Sequence, residues 1–335
     1  MEHRDNNLNL LRLIAAFFVL YEHSFALTGR PNPTNFLGSG FGSIGVAIFF
    51  VISGYLISCS WLSGGSVRGF LWRRALRIIP GLVAITLISI GVFGPLLTTL
   101  PLNDFFSSAG TWFYLWNIAL FPVFAMPGVL EAAPVANAMN GSLWTLPLEV
   151  ALYATAMLLG LSKGLKKQNY LLFIFLFLIL FFVAKNSAKP IVYYGTDWRL
   201  FIVYGIYFYS GTLFKIFEFN RGTISGLGCS VLIVSILGTN IAFIFDLLKI
   251  LAFTYIVLSV GLASSKIGSW VNERGDYSYG FYIYAFPVQQ IVFAKLPWLG
   301  MGVYIAVCAA ITMAFAWGSW HFIESKALSF KNLVS

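Results

Sequence analysis

The first apolar stretch of the chain, residues 9–24, contains Arg12 near its start and His23 near its end. In an α-helix this spacing makes about three turns, so both side chains lie on nearly one face, about 16 Å apart along the axis. An ionisable side chain in a bilayer costs several kcal/mol unless it faces a cavity or a partner, so the pair indicates a functional site. The alternative is structural: Arg12 extends to the membrane interface and His23 ends the helix.

Three arginines, Arg73, Arg74 and Arg77, lie in a short segment that ends at Pro80. Spacings of three and four residues place them on one side of a helix. Because the planar guanidinium group matches phosphate oxygens, the cluster predicts a phosphate-binding site at the inner interface. Contact with lipid phosphates, which would only anchor the helix, is the alternative.

Glu149 lies about two turns inside a predicted span that is entered from the outer face. A carboxylate in the membrane needs a partner. If His23 lies at a similar depth, the two form a general-base unit in which the carboxylate orients the imidazole. Glu22, next to His23, is a second candidate carboxylate. The alternative for Glu149 is a packing role, with its carboxylate bonded to a neighbouring backbone group or hydroxyl.

The composition shows what kind of protein must position these residues. Of 335 residues, 59% are hydrophobic and 10% are charged, and the mean hydropathy is +0.83. Soluble domains carry about 25% charged residues. We therefore predict an all-α integral membrane protein, a single membrane-embedded domain over 1–335 with about ten transmembrane helices. The apolar runs of spanning length lie at 8–27, 41–60, 78–98, 143–161, 170–184, 198–217, 223–243, 245–263, 277–294 and 301–323.

The distribution of charge predicts the topology. The net charge of +9 comes from lysines and arginines in short loops, which the positive-inside rule explains better than nucleic-acid binding does. The aromatic stretch 105–130 is interrupted by Pro122 and Pro127. If it crossed the membrane, the lysines of loop 163–167 would face outside. We therefore expect this stretch to be re-entrant or to lie at the outer face, with both termini in the cytoplasm.

Two further patterns bear on packing and on metals. Gly45, Ser53 and Gly54 allow neighbouring helices to approach closely. The cysteines and histidines are too scattered to indicate a disulfide framework or a metal site. They are Cys59, Cys229, Cys308, His3, His23 and His321.

Several motifs, in this order along nearly the whole chain, resemble the acyltransferase-3 family of bacterial multi-pass membrane O-acyltransferases. The matching features are Arg12 and His23 separated by ten residues, and the stretches 45–57, 73–80, 141–149, 277–287 and 322–325. Each motif alone is weak, and together they are specific. The resemblance is to members without an appended extracytoplasmic domain, so the membrane domain is expected to complete the transfer itself.

The resemblance implies transfer of an acyl group, most often acetyl from acetyl-CoA, to a hydroxyl of a lipid-linked or extracytoplasmic sugar such as lipopolysaccharide O-antigen. The expected location is the bacterial cytoplasmic (inner) membrane. The expected partners are acyl-CoA as co-substrate, a glycan acceptor and membrane lipids, with no metal and no nucleic acid.

The resemblance also implies roles for individual residues. His23 is expected to be the general base, assisted by Glu149 or Glu22, although an acyl-enzyme intermediate on His23 is an alternative. The residues expected to bind the coenzyme are Arg12, Arg73, Arg74 and Arg77. The residues expected to contact the substrate are Ser142, Trp144, Tyr279 and Tyr282.

The chain departs from the family pattern at two positions. Many members carry His immediately before the proline of the penultimate span, where this chain has Phe286. Many also carry Pro soon after the final Glu, whereas Ser325 and Lys326 follow Glu324 here. We therefore expect no catalytic role at Phe286 and leave the role of Glu324 open.

A multi-pass transporter or flippase of a polar solute or glycolipid is the main alternative, because ionisable residues in the membrane would serve it equally well. The sequence shows no inverted repeat and no matched pair of broken helices, which are typical of transporters. Binding or transfer from acyl-CoA would separate the two functions.

Overall fold

A computed structural model of the protein describes residues 5–32, 39–64, 66–187, 189–218 and 242–334. Most of the predicted span 223–243 lies outside these ranges, as do His3 and Cys229.

Helices dominate the described residues, because backbone polar groups in a bilayer must bond within their own segment. The α-helices are α1 (Leu8–Thr28), α2 (Phe41–Leu62), α3 (Val67–Ile88), α4 (Leu102–Ser107), α5 (Ala109–Phe113), α6 (Thr145–Leu161), α7 (Lys167–Asn186), α8 (Arg199–Phe217), α9 (Ala242–Leu262), α10 (Lys266–Arg274), α11 (Ser278–Lys295), α12 (Met301–Ser319) and α13 (Ser325–Ser329).

Shorter elements extend or connect these helices. A π-turn, Ser89–Phe93, and a helical turn, Gly94–Leu97, continue α3, and a second π-turn, Trp320–Glu324, joins α12 to α13. The 3₁₀ turns are Tyr114–Ala119, Gly141–Trp144 and Phe330–Asn332. The strands β1 (Val192–Tyr193) and β2 (Thr196–Asp197) form an antiparallel hairpin that pairs Val192 with Asp197.

Seven helices in the described ranges are long and apolar enough to cross a membrane, and the bent pair Asp246–Leu262 and Lys266–Arg274 would make an eighth. The protein is therefore a predominantly helical, multi-pass membrane protein. The predicted count of ten is not reached in these ranges. The run at 277–294 does form a helix, α11, which is not among the seven. Its residues 278–290 are all buried, so this helix is surrounded by protein and needs little apolar surface for lipid.

The helix ends define two faces of the bundle. We call the side where α1 begins the Leu8 face and the side where it ends the Thr28 face. At the Leu8 face, the Asn7 amide donates to Gly261 O at the end of α9, 2.7 Å away. At the Thr28 face, Arg30 donates to Leu299 O, just beyond the end of α11, at 3.1 Å. Helices α1 and α11 therefore both run from the Leu8 face to the Thr28 face, since Asp276, just before α11, contacts Arg12 near the start of α1.

The segment between α3 and α6 contains no spanning helix within its described residues, because its longest helices have six residues. Its last part enters the bundle along α11. Gln290 Nε2 donates to Ala138 O at 3.0 Å, and Asn140 Nδ2 donates to Ile283 O at 2.8 Å. Residues 135–141 therefore re-enter from the Thr28 face, later in the sequence than the predicted stretch 105–130, and α6 begins inside the bundle.

Helices α2 and α8 are in backbone contact at two glycines. A Cβ atom on Gly54 would lie 1.8 Å from Phe208 O, and one on Gly211 would lie 2.2 Å from Val51 O. Neither distance is possible, so each position requires the absence of a side chain. The predicted close approach at Gly54 is confirmed, and Gly45 approaches the backbone of α1 in the same way.

We expect Gly54→Ala to lower the Tm of the purified protein in detergent, measured by differential scanning fluorimetry. The added methyl group overlaps a backbone oxygen that moves only if α2 separates from α8. Overpacking of a tight site costs about 1–3 kcal/mol. Gly302→Ala in α12 is the matched control, since no atom lies within 4 Å of its added methyl group. Equal Tm values for the two variants would contradict the expectation.

Candidate active site

Arg12 and Arg77 converge on a third residue, Asp276. Arg12 Nη1 and Arg77 Nη2 each lie 2.5 Å from Asp276 Oδ2. The three side chains are between 10% and 15% exposed. The other carboxylate oxygen, Oδ1, accepts bonds from the amide and the hydroxyl of Ser278 at the start of α11. One buried carboxylate thus ties α1, α3 and α11 together.

The charge of Asp276 follows from these contacts. Burial alone would raise the pKa of this carboxyl, but Arg12, Arg77 and the hydrogen bonds from Ser278 outweigh burial and lower the pKa to about 2. The carboxylate is therefore ionised at neutral pH, and the triad carries a net charge of +1.

Sequence reasoning missed Asp276, because it precedes the apolar run at 277–294 and was not counted among the ionisable residues in the membrane. A weak signal was present. The sequence Asp276-Tyr277-Ser278 places an acidic side chain where it can bond the first amides of the following helix, which is a common helix-start pattern.

The three arginines of α3 do not form the single interfacial cluster that the sequence predicts. Arg77 points into the bundle toward Asp276. The Arg74 guanidinium lies 5.8 Å from the ring centre of Phe70 and 5.9 Å from that of Tyr153, and its Nε has no partner among the described residues. The Arg73 guanidinium lies beside Gly69, which is one turn nearer the Leu8 face than Arg73 is. Arg77 is therefore held by a buried carboxylate and Arg74 lies against aromatic rings, so the side chains of these arginines have different neighbours.

A cavity with an empty volume of about 540 Å³ lies between α1, α2, α3, α6 and α11. Its walls are formed by Arg12, Val46, Phe49, Phe50, Ser53, Arg77, Ile78, Thr145, Leu146, Glu149, Tyr279 and Tyr282. Five residues predicted to form the site therefore meet in one place: Arg12, Arg77, Glu149, Tyr279 and Tyr282.

Glu149 faces this cavity from α6. Its Oε1 accepts a hydrogen bond from Tyr153, and Ser53 Oγ on α2 lies 3.4 Å from the same oxygen. The partners of Glu149 are therefore hydroxyl groups, as the alternative interpretation of the sequence allowed. Since Arg74 stacks on the Tyr153 ring, the carboxylate is connected through Tyr153 to the arginines of α3.

The predicted pair of His23 with Glu149 or Glu22 is not formed. The His23 ring packs edge-on against Phe286, with 5.2 Å between ring centres, and its buried Nδ1 has no hydrogen-bond partner in the part of the chain that the structure describes. Glu22 instead accepts a bond of 2.6 Å from the Gly42 amide in the first turn of α2. Consecutive helix residues point about 100° apart, so Glu22 and His23 face different neighbours.

The separation of His23 from Glu149 has a simple cause. Ser53, the contact of Glu149, lies twelve residues into α2, about 18 Å from the Thr28 face, whereas His23 lies five residues before the end of α1, about 8 Å from that face. The sequence argument counted the depth of Glu149 from the membrane surface. Because residues 135–141 re-enter the bundle, α6 starts deeper and so places Glu149 deeper.

The 3₁₀ turn Gly141–Trp144 connects the surroundings of His23 to the cavity. Tyr282 Oη donates to Ser142 O at 3.0 Å and lies 2.9 Å from Thr145 Oγ1. A Cβ atom on Gly141 would meet the Phe286 ring at 2.7 Å, so the turn also packs on the neighbour of His23. Ser142 Oγ is buried without a partner among the described residues. Trp144 packs against Tyr204, with 5.8 Å between ring centres.

The cysteines and acidic residues add no metal site within the described ranges, where no group of three or more His, Cys, Asp or Glu side chains could hold an ion. Cys59 and Cys308 are free thiols there, half-buried and buried respectively.

The comparison with known families decides the identity of this membrane domain. A family model described as an acyltransferase domain matches residues 5–321, nearly the whole chain. The chain belongs to the acyltransferase-3 family. Its membrane bundle, its cavity and its buried ionisable residues are therefore those of a multi-pass membrane acyltransferase.

Three relatives are similar in sequence to this acyltransferase-3 chain. It is 30% identical to an "O-acetyl transferase" of Shigella phage Sf6, over 98% of this chain and 97% of the relative. It is 28% identical to "Nodulation protein 10" of Rhizobium leguminosarum bv. viciae, over 98% and 94%. It is 29% identical to "Peptidoglycan O-acetyltransferase OatA" of Listeria monocytogenes, over 87% of this chain but 52% of the relative. No solved structure matches the chain significantly.

Phe286, where this acyltransferase-3 chain departs from the family pattern, is buried, and so is Glu324, which precedes the second departure at Ser325 and Lys326. Phe286 forms the ring contact with His23. Glu324 lies in the π-turn at the end of α12 and accepts a bond of 2.7 Å from Ser319 Oγ, while its second oxygen has no partner among the described residues. The first departure is thus in direct contact with the predicted base.

Proposed function

We propose that the protein transfers an acetyl group from cytoplasmic acetyl-CoA to a hydroxyl of a lipid-linked or extracytoplasmic sugar, such as lipopolysaccharide O-antigen, at the bacterial inner membrane. The observation that carries this proposal is the cavity in which Arg12, Arg77, Glu149 and two tyrosines meet. The names of two relatives, an O-acetyl transferase and a peptidoglycan O-acetyltransferase, support acetyl as the group and a glycan as the acceptor.

The donor enters from the Leu8 face, which the positive-inside rule assigns to the cytoplasm. Arg73 and Arg74 lie toward that face, and the triad of Arg12, Arg77 and Asp276 adds a net positive charge at the cavity wall. Guanidinium groups bind phosphate oxygens well, so these arginines attract the anionic end of the coenzyme. The apolar walls beyond them suit the uncharged arm that carries the thioester.

The acceptor approaches from the Thr28 face, where His23 lies. The acceptor oxygen attacks the thioester carbonyl, a C–O bond forms and the C–S bond breaks. His23 Nδ1, which has no partner among the described residues, takes the hydroxyl proton, and the departing thiolate regains a proton to leave as free coenzyme A. Glu149, held by Tyr153 and Ser53, is a positioning residue on the cavity wall in this scheme.

The experiment that tests this function uses the protein reconstituted in lipid vesicles. Radiolabelled acetyl-CoA is supplied with surface polysaccharide from cells that lack the chain, after alkaline removal of existing esters. We expect alkali-labile label in the polysaccharide, dependent on protein and on both substrates. A transporter or flippase would transfer no label. Absence of label above protein-free vesicles, or label that does not depend on acetyl-CoA, would overturn the proposal.

A further inference from the structure

A second cavity lies at the Thr28 face, between α2, α7, α8 and α9. Its empty volume is about 1,320 Å³, more than twice that of the first cavity. We call it the Lys249 cleft. Its lining residues are Ser39, Ser43, Ile44, Ala47, Phe181, Lys185, Val203, Tyr204, Tyr207, Asp246, Lys249, Ile250 and Phe253.

The sequence positions of the lining residues show which way the cleft opens. Lys185 is in the last turn of α7, and Ser43 is in the first turn of α2. Both helix ends belong to the Thr28 face. Ala47 lies about one turn beyond Ser43 on α2, and Tyr207 lies about two turns into α8. Among the described residues, the cleft therefore opens at the Thr28 face and reaches about 10 Å into the bundle.

The walls of the cleft combine charged groups with aromatic rings. Lys185 forms an ion pair with Asp246, and Lys249 lies one turn along α9 from that aspartate. Tyr207 packs edge-on against Phe253, with 5.6 Å between ring centres. A sugar suits both parts, because its C–H faces pack on aromatic rings while its hydroxyls bond to charged and polar side chains.

The wall between the cleft and the first cavity contains two stacked aromatic rings. Tyr204 lines the cleft and stacks on Phe50, which lines the cavity, with 5.6 Å between ring centres. Tyr204 also contacts Trp144, one of the residues expected to contact the substrate. A ligand held in the cleft is therefore separated from the catalytic cavity by Tyr204 and Phe50.

We propose that the Lys249 cleft binds a sugar ring of the acceptor glycan and holds it beside the catalytic cavity, with Tyr204 as the side chain that separates the two. This inference rests on the proposed acetyl transfer and adds a binding site to it. It assigns acceptor binding to α2, α7, α8 and α9, whereas the donor groups lie on α1, α3 and α11.

Direct binding and transfer test this site together. Fluorescently labelled, de-esterified oligosaccharide from the same surface polysaccharide is titrated into the purified protein, and acceptor and donor concentrations are varied separately in the vesicle assay. We expect Lys249→Ala and Ser43→Trp, which fills the mouth of the cleft, each to weaken oligosaccharide binding and raise the acceptor KM about tenfold, equivalent to about 1.4 kcal/mol. The KM for acetyl-CoA stays within about twofold of the wild-type value, since no donor group has changed.

Lys295→Ala is the matched control, because this exposed lysine ends α11 at the same face but does not line the cleft. Transfer by the wild type, with unchanged oligosaccharide binding and acceptor KM in both cleft variants, would overturn the cleft and leave the proposed function standing. If the wild type transfers no acetyl, the proposed function fails. The binding titration then still decides the cleft, which is refuted if the variants bind the oligosaccharide as the wild type does.

Discussion

Asp276→Ala is expected to prevent most of the protein from reaching its folded state. The substitution leaves the guanidinium groups of Arg12 and Arg77 buried without their shared carboxylate, and it removes the group that bonds the start of α11. Breaking a buried ion pair by removing one partner costs about 3–5 kcal/mol. That is a large part of the 5–15 kcal/mol by which proteins are usually stable. The measurement is the yield of monodisperse protein from membranes and its Tm in detergent.

Asp276→Asn distinguishes charge from shape, because the amide keeps the size and one acceptor oxygen but loses the negative charge. We expect a clearly lower Tm for this variant. Asp197→Asn is the comparison variant, since Asp197 pairs with a single arginine, Arg199, two residues along the chain in a half-buried pair. That pair joins no separate helices, so we expect its Tm to fall less than that of Asp276→Asn. If the two variants have the same Tm, Asp276 does not hold the three helices together.

The sequence allowed the prediction of residues whose chemistry conflicts with their surroundings. Arg12 and Glu149 stand out because an ionisable group in an apolar run is costly without a cavity or a partner, and both line the cavity between α1, α2, α3, α6 and α11. Gly54 was predictable for a similar reason, since a small residue in a span marks close packing, and the backbone contact with α8 confirms it. In each case the residue type and its apolar surroundings in the sequence are sufficient for the prediction.

Features that depend on long-range geometry were not predictable in the same way. Asp276 lies 264 residues from Arg12 and 199 from Arg77, and no local pattern joins them. The prediction that Glu149 lies at a similar depth to His23 was wrong, because a re-entrant segment, residues 135–141, sets where α6 begins. Helix α11 is a further example. Its residues 278–290 are enclosed by protein, and a hydropathy profile cannot distinguish such a helix from one that is too polar to contact lipid.

The structure also shows that Arg12 and His23 have different kinds of contacts. Arg12 and His23 lie on one helix, as predicted, but Arg12 is fixed by Asp276, whereas His23 has a ring contact with Phe286 and an Nδ1 without a partner in the described part of the chain. The arginine is thus held in place by an ion pair, whereas the buried histidine Nδ1 has no partner among the described residues. The difference is consistent with the proposed roles, donor binding for Arg12 and proton transfer for His23.

His23→Ala is therefore expected to lower the rate of acetyl transfer by about 10²–10⁴-fold, the usual contribution of a general base. The loss should appear in kcat, because the substitution removes proton transfer and leaves Arg12, Arg77 and the rest of the donor site in place. The KM for acetyl-CoA and the Tm should stay close to the wild-type values. The vesicle assay with saturating acceptor and varied acetyl-CoA measures both kinetic constants.

His321→Ala is the matched control for this variant. His321 is exposed at the Leu8 face, where its Nε2 lies 3.2 Å from Tyr277 Oη, and it does not line the cavity. We expect this variant to transfer acetyl at the wild-type rate. Transfer by His23→Ala within about tenfold of wild type would exclude His23 as the base and leave Glu149, the carboxylate on the cavity wall, as the residue to test next. A raised KM for acetyl-CoA with unchanged kcat would instead assign His23 to donor binding, because only a group used in the chemical step changes kcat alone.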